Sequence, residues 1–132
     1  MKTFEEFLNE KRVSNKPISN TNANELAKKL LSFINTGDLD SAVECVEEGA
    51  NVNFADMGNN TPLWLSVDGY MRSMSTHRKR QWLSLITKLL DHGVKLESRV
   101  EYLLNEEFKD STSVHTNALK DLIKKYYPKD IK

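Results

Sequence analysis

A single cysteine, Cys45, excludes an internal disulfide and a thiolate zinc cluster. The five glycines, at 37, 49, 58, 69 and 93, are isolated from one another, so no glycine-rich phosphate loop can be assembled. With 3 prolines in 132 residues, a collagenous or proline-rich chain is excluded as well. There is no excess of charge: 19 Lys and Arg balance 19 Asp and Glu, so no global field draws the chain to nucleic acid or to an anionic membrane. No apolar run approaches the ~20 residues needed to cross a bilayer, and Glu5 and Glu6 stand where a secretion signal would be basic and then apolar. An intracellular protein is expected. Without a secretion signal, the Asn59-Asn60-Thr61 sequon carries no meaning. His77, His92 and His115 fall in no metal-ligand spacing. No metal, cofactor or catalytic residue is expected, and the chain is read as not an enzyme.

What is present is helical pattern. Hydrophobic residues at 39% and charged residues at 29% are the composition of one folded domain or of a short array of small repeats. Residues 1–12 place Phe4, Phe7 and Leu8 at i, i+3 and i+4, which predicts a short helix with one apolar edge. Alone it is too short to persist in water, so it either frays or docks on the body that follows. Residues 13–21, rich in Ser and Asn with Pro17, read as a linker. The ordered body is expected over 22–127, with 128–132 as a tail. Within it Leu26, Leu30, Leu31 and Ile34 form one helical face, and the turn at 35–38 supplies Asp38 as the next N-cap. Leu39, Ala42, Val43 and Val46 form the second face, which Gly49 ends. Thr61-Pro62 reads as N-cap and first helical position. Trp82, Leu85, Ile86, Leu89 and Leu90 repeat the second-helix pattern up to Gly93. A third pair follows, with Val100, Leu103, Leu104 and Phe108 in its first helix and Leu119, Leu122, Ile123 and Tyr126 in its second. The predicted fold class is all-α.

The run Gly37-Asp-Leu-Asp-Ser-Ala-Val-Glu-Cys-Val-Glu-Glu-Gly49-Ala-Asn-Val-Asn53, followed by Asp56 and Thr61-Pro62-Leu63, resembles the ankyrin repeat. That resemblance implies a short solenoid: repeat 1 about 22–53, repeat 2 about 54–97, and an atypical capping pair about 98–127. The pattern departs from the family at three points. The family's histidine after Thr-Pro-Leu, which bonds across the loop, is here Trp64, so that network must be rebuilt. The turn glycine two places before Thr61 is Asn59, a residue that tolerates positive φ. The spacing from Gly49 to Gly93 is 44 residues against the family's roughly 33, which implies an insertion near 68–80, read as a surface loop outside the stack. Deleting residues 69–76 is therefore expected to cost little.

The resemblance implies a protein partner on turn tips, inner helices and insertion, through Phe54, Met57, Asn59, Asn60, Trp64, Tyr70, Met71, Arg72, Arg78, Lys79 and Arg80. Charge patterning adds to this. Residues 22–56 hold two cations against seven acids, net −5, and residues 57–80 hold four cations against one acid, net +3. The basic stretch, with Tyr70, Met71, Met74 and His77 interleaved, suits an acidic protein surface or single-stranded nucleic acid, or else is a solvated loop whose cations face the acids of the first repeat. Nucleic acid is the weakest of these, because ~6 to 10 phosphate contacts are usual and about four cations are on offer. Asp38 and Asp40 are read as a helix start rather than an acid-base pair, and Cys45 as a buried small side chain. A monomer is expected.

Met1-Lys-Thr-Phe-Glu-Glu-Phe-Leu-Asn-Glu10 is similar to the capsid-targeting peptides of phage internal head proteins, which a prohead protease cuts after a Leu/Ile-X-Glu sequence. Leu8 and Glu10 fit that processing site. This second resemblance implies an alternative function, a capsid-packaged protein that inhibits a host defence or nuclease, and a location in host cytoplasm or virion.

Overall fold

The computed structural model describes residues 20–132, with side chains from Asn22 onward. The proposed helix over 1–12, the linker before Asn20 and the Leu8–Glu10 processing site lie outside the described residues. Among those described there are six α-helices and no strand: α1 Asn20–Thr36, α2 Leu39–Glu47, α3 Pro62–Arg72, α4 Thr76–Asp91, α5 Ser98–Tyr102, which runs into a π-helical turn Leu103–Glu107, and α6 Val114–Tyr126. No described helix is long and apolar enough to cross a membrane.

Local chemistry sets the helix ends. Asp38, Thr61, Ser75 and Ser113 are the N-caps of α2, α3, α4 and α6, and each side chain accepts a backbone N–H from the first turn. Gly49 and Gly93 follow α2 and α4 at φ 105 and 83, a left-handed geometry that only glycine adopts without strain. At both ends the chain closes in the same way: Gly49 N–H donates to Val46 O and Ala50 N–H to Cys45 O, while Gly93 N–H donates to Leu90 O and Val94 N–H to Leu89 O.

The helices pack in two rows. α1 lies against α2 and α3, α3 against α4, α2 against α4, and α4 against α6. Between the rows runs one apolar cluster that includes Leu30, Val46, Leu63, Val67, Leu85, Ile86, Leu89, Leu104, Leu119 and Ile123. Asparagines lace the connecting loops together. Asn51 donates its N–H to Ala23 O and its amide to Asn24 Oδ1 at 2.9 Å, and Asn53 Oδ1 accepts Lys95 N–H at 2.8 Å.

Two expectations are corrected. The stretch 68–80 is not a loop outside the stack: α3 continues through Gly69 to Arg72, α4 begins at Thr76, and only three residues, 73–75, connect them. Tyr70, within the stretch expected to be loop, is buried at 1% exposure, and its hydroxyl donates to His115 O on α6. Residues 128–132 are likewise no free tail. Ile131 is buried at 1% exposure, and Asn105 in the π-helical turn donates to Asp130 O and accepts from Lys132 N–H.

One buried group goes unmatched. Ser66, in the middle of α3, is fully buried and its hydroxyl has no hydrogen-bond partner among the described residues. A buried hydroxyl without a partner carries its desolvation cost uncompensated. Ser66→Ala is expected to stabilise the protein by about 1 kcal/mol, read as a higher urea midpoint at unchanged slope.

Candidate functional site

The finger that joins the first helix pair to the second is a tight turn organised by Asp56. Its carboxylate accepts Gly58 N–H at 2.8 Å, Asn60 N–H at 2.9 Å and the Asn60 amide at 3.2 Å. These donors, those of Asn60 foremost, hold the Asp56 carboxyl below the usual range. Asn59 occupies the left-handed region at φ 61, as its residue type allows. A depressed folded pKa means that the turn is stabilised above the unfolded value and that this contribution fades as pH falls through the folded one. The gap in melting midpoint between wild type and Asp56→Ala should therefore be present at neutral pH and narrow as pH is lowered below about 4. A gap independent of pH rules this role out.

The cross-loop network expected to change around Trp64 is rebuilt with an arginine from the third pair. The Arg99 guanidinium lies 4.7 Å from the centre of the Trp64 ring and donates to Asn59 O at 2.7 Å, while Glu97 pairs with Arg99 at 2.9 Å and accepts the Thr61 hydroxyl. Trp64, Asn59 and Asn60 are thus occupied with holding the finger in place. Arg99 and Glu97 escaped the sequence reading, since an Arg two residues after a Glu has no motif and its targets are about 40 residues away.

The basic stretch is also spent internally. Arg78 Nη2 donates to Gly37 O at 3.1 Å and Nη1 to Gln81, and Lys79 Nζ donates to Tyr70 O at 2.7 Å. Cations in the first turn of α4 oppose the dipole of their own helix, but these two reach the carbonyl ends of α1 and α3, where positive charge is favoured. Each also lies near a ring, Arg78 at 5.9 Å from Trp82 and Lys79 at 4.7 Å from Tyr70. The acids of residues 22–56 are not their partners. Arg72 pairs with Asp68 on the exposed surface, Met71 packs against the core, and Arg80 is exposed. Tyr70, as a buried core residue, offers no surface to a partner.

Phe54 and Met57 are different. With Ala55 and Asp56 they form one wall of an open cleft of about 580 Å³, and Lys28, Leu31, Ser32, Asn35 and Thr36 of α1 form the other. Phe54 is half-buried and Met57 fully exposed. Leu31 belongs to the apolar face of α1, while Lys28, Ser32 and Asn35 come from its polar face. Ser32 and Asn35 were not anticipated as site residues, because in sequence they look like any solvated helix face. The Asp56 carboxylate is committed to its turn, so the polar groups turned to the cleft are chiefly the Lys28 ammonium, itself 3.2 Å from Glu25, and the hydroxyl and amide of Ser32 and Asn35.

Asp38 accepts from Ser41 N–H and hydroxyl as a cap. Cys45 is buried, and desolvation pushes its thiol up, which keeps it protonated and unreactive. Among the described residues no group of three or more His, Cys, Asp or Glu side chains could hold a metal ion. No protein family, no curated protein and no solved structure matches the chain.

Proposed function

We propose that the chain is a short ankyrin-like array of helical hairpins that works as a non-catalytic protein-binding module, with the cleft between α1 and the 54–57 finger as its docking groove. The observation that carries this reading is the cleft itself, where Phe54 and Met57 face α1 from a turn that the Asp56 carboxylate ties together. A preorganised loop loses little entropy on binding, so the apolar area it presents converts more fully into affinity. The row packing, the matched helix ends at Gly49 and Gly93 and the Asn51, Asn53 and Lys95 loop contacts support the repeat register. The partner is a protein, and the module acts as a monomer. Capture from the native host with the full chain tests the reading: a partner retained by wild type should be lost with Phe54→Ala or Met57→Ala. A partner that binds both variants as well as it binds wild type places the interface elsewhere.

A second reading rests on Leu8-Asn9-Glu10 in a peptide of capsid-targeting type, and makes this module cargo of a phage head that acts on a host defence or nuclease after injection. Mass spectrometry of virions tests it. A mature N-terminus at Lys11 supports it, and absence of the protein from particles removes it.

A further inference from the structure

We propose that Asn105 and the pocket of Ile131 form a second docking slot, which residues 128–132 fill in cis, and that a partner protein's lysine-flanked segment with one isoleucine or valine exchanges with them. The inference goes beyond the docking groove above: the cleft lies on α1, whereas this slot lies on the π-helical turn after α5.

The chemistry of the slot is read from the strap, residues 128–132, that occupies it. Asn105 is the third residue of the π-helical turn Leu103–Glu107 and is 8% exposed. Its amide nitrogen donates to Asp130 O at 2.7 Å, and its amide oxygen accepts Lys132 N–H at 2.8 Å. These two backbone groups flank Ile131, which is 1% exposed, while Pro128, Lys129, Asp130 and Lys132 are all exposed. Recognition therefore uses one aliphatic side chain and two main-chain groups. That is the division of labour in peptide capture generally, where main-chain bonds supply affinity and a pocket supplies specificity. Glu106 and Glu107 are exposed next to Asn105 in the chain, and the strap carries Lys129 and Lys132, so flanking lysines suit the slot.

Exchange of the occupant, rather than an empty slot, follows from the burial of the amide. A strap that leaves without replacement strips a buried donor and a buried acceptor of their partners together and opens an apolar pocket to water. A segment that restores both bonds and refills the pocket removes that cost. The strap itself is held by little else: the Tyr127 hydroxyl donates to Val94 O at its start, and the Asp130 and Ile131 N–H groups both donate to Tyr127 O within its own turn. Local opening of such a chain end takes less free energy than global unfolding.

The test is the fluorescence anisotropy of a labelled peptide with the sequence of residues 127–132, titrated with the full chain. Wild type should bind it weakly, because its own strap competes at an effective concentration of the order of mM. A strap docked about nine-tenths of the time leaves about a tenth of the slots open, so the full chain with Ile131→Ser, which gives up the anchoring side chain, should bind the peptide about tenfold more tightly than wild type. Adding Asn105→Ala to that chain, or Ile131→Ser to the peptide, should abolish the gain. Circular dichroism checks that the helices persist in each chain. Pro128→Gly, at an exposed position outside the slot, gives a second route: it loosens the hinge of the strap and should raise peptide affinity about two- to fivefold over wild type. Any of four results overturns the proposal. These are no binding by either variant at millimolar peptide, equal binding by wild type and both variants, loss of helix in both variants, which makes the strap part of the core, and a wild-type dimer in sedimentation that Ile131→Ser dissociates, which assigns the slot to a second copy.

Discussion

Leu89→Ala is expected to lower stability by ~2 to 5 kcal/mol. Leu89 lies in the last part of α4, fully buried, and its carbonyl accepts Val94 N–H where the helix closes. α4 is the one helix that touches α2, α3 and α6, so the side chain faces both neighbours in its row. Removing three carbons there loses their transfer energy and leaves a cavity that none of three rigid walls can close. Total stabilities of domains this size are on the order of 5 to 15 kcal/mol, so a substantial share of the total is at stake. Urea unfolding at constant slope measures it. A loss below about 1 kcal/mol would mean that Leu89 is not enclosed by α2, α3 and α6.

The second large effect has the opposite sign to what helix propensity predicts. Gly69 lies inside α3, and Gly→Ala within a helix ordinarily gains about 1 kcal/mol. Here a Cβ on residue 69 would stand 2.4 to 2.7 Å from three atoms of the Trp82 ring. Trp82 is buried, so its ring cannot swing out to solvent. Gly69→Ala is expected to destabilise by about 1 to 3 kcal/mol through overpacking. In a Trp82→Leu background the same change should be neutral or favourable, and the difference between backgrounds is the coupling energy of a double-mutant cycle. Equal effects in both backgrounds would remove the close approach as the cause. The same contact reverses the expectation for deleting residues 69–76: the deletion removes Tyr70 from the core together with the bare backbone under Trp82, and it should unfold the protein.

What the sequence determined by itself was local. Helix faces follow from apolar residues recurring at i, i+3 and i+4, and all of Leu30, Leu31, Ile34, Ala42, Val46, Leu85, Ile86, Leu89 and Leu90 are buried as that spacing requires. Caps and stops at Asp38, Thr61, Gly49 and Gly93 were legible for the same reason: the groups they satisfy lie within five residues of them. Of the candidate site, Phe54 and Met57 could be picked out as large apolar residues in a segment otherwise made of turn formers.

The tertiary structure decided everything that depends on a partner far along the chain. Residues 68–80 read as a loop because the spacing from Gly49 to Gly93 exceeds the period of the ankyrin resemblance, yet the helix persists through Arg72, since Trp82 packs on Gly69 and Tyr70 reaches His115, 45 residues away. The charges of Arg78 and Lys79 suggested a partner surface, but their hydrogen bonds run to Gly37 O and Tyr70 O, carbonyls that no charge count records. Residues 128–132 looked like a tail until Asn105 and the burial of Ile131 tied them down. Ser32 and Asn35 became lining residues only because the finger folds back over α1. Periodicity records which face of a helix is apolar. It carries no information on which distant backbone carbonyl, glycine or loop that face will meet, because those contacts are fixed by how the rows pack.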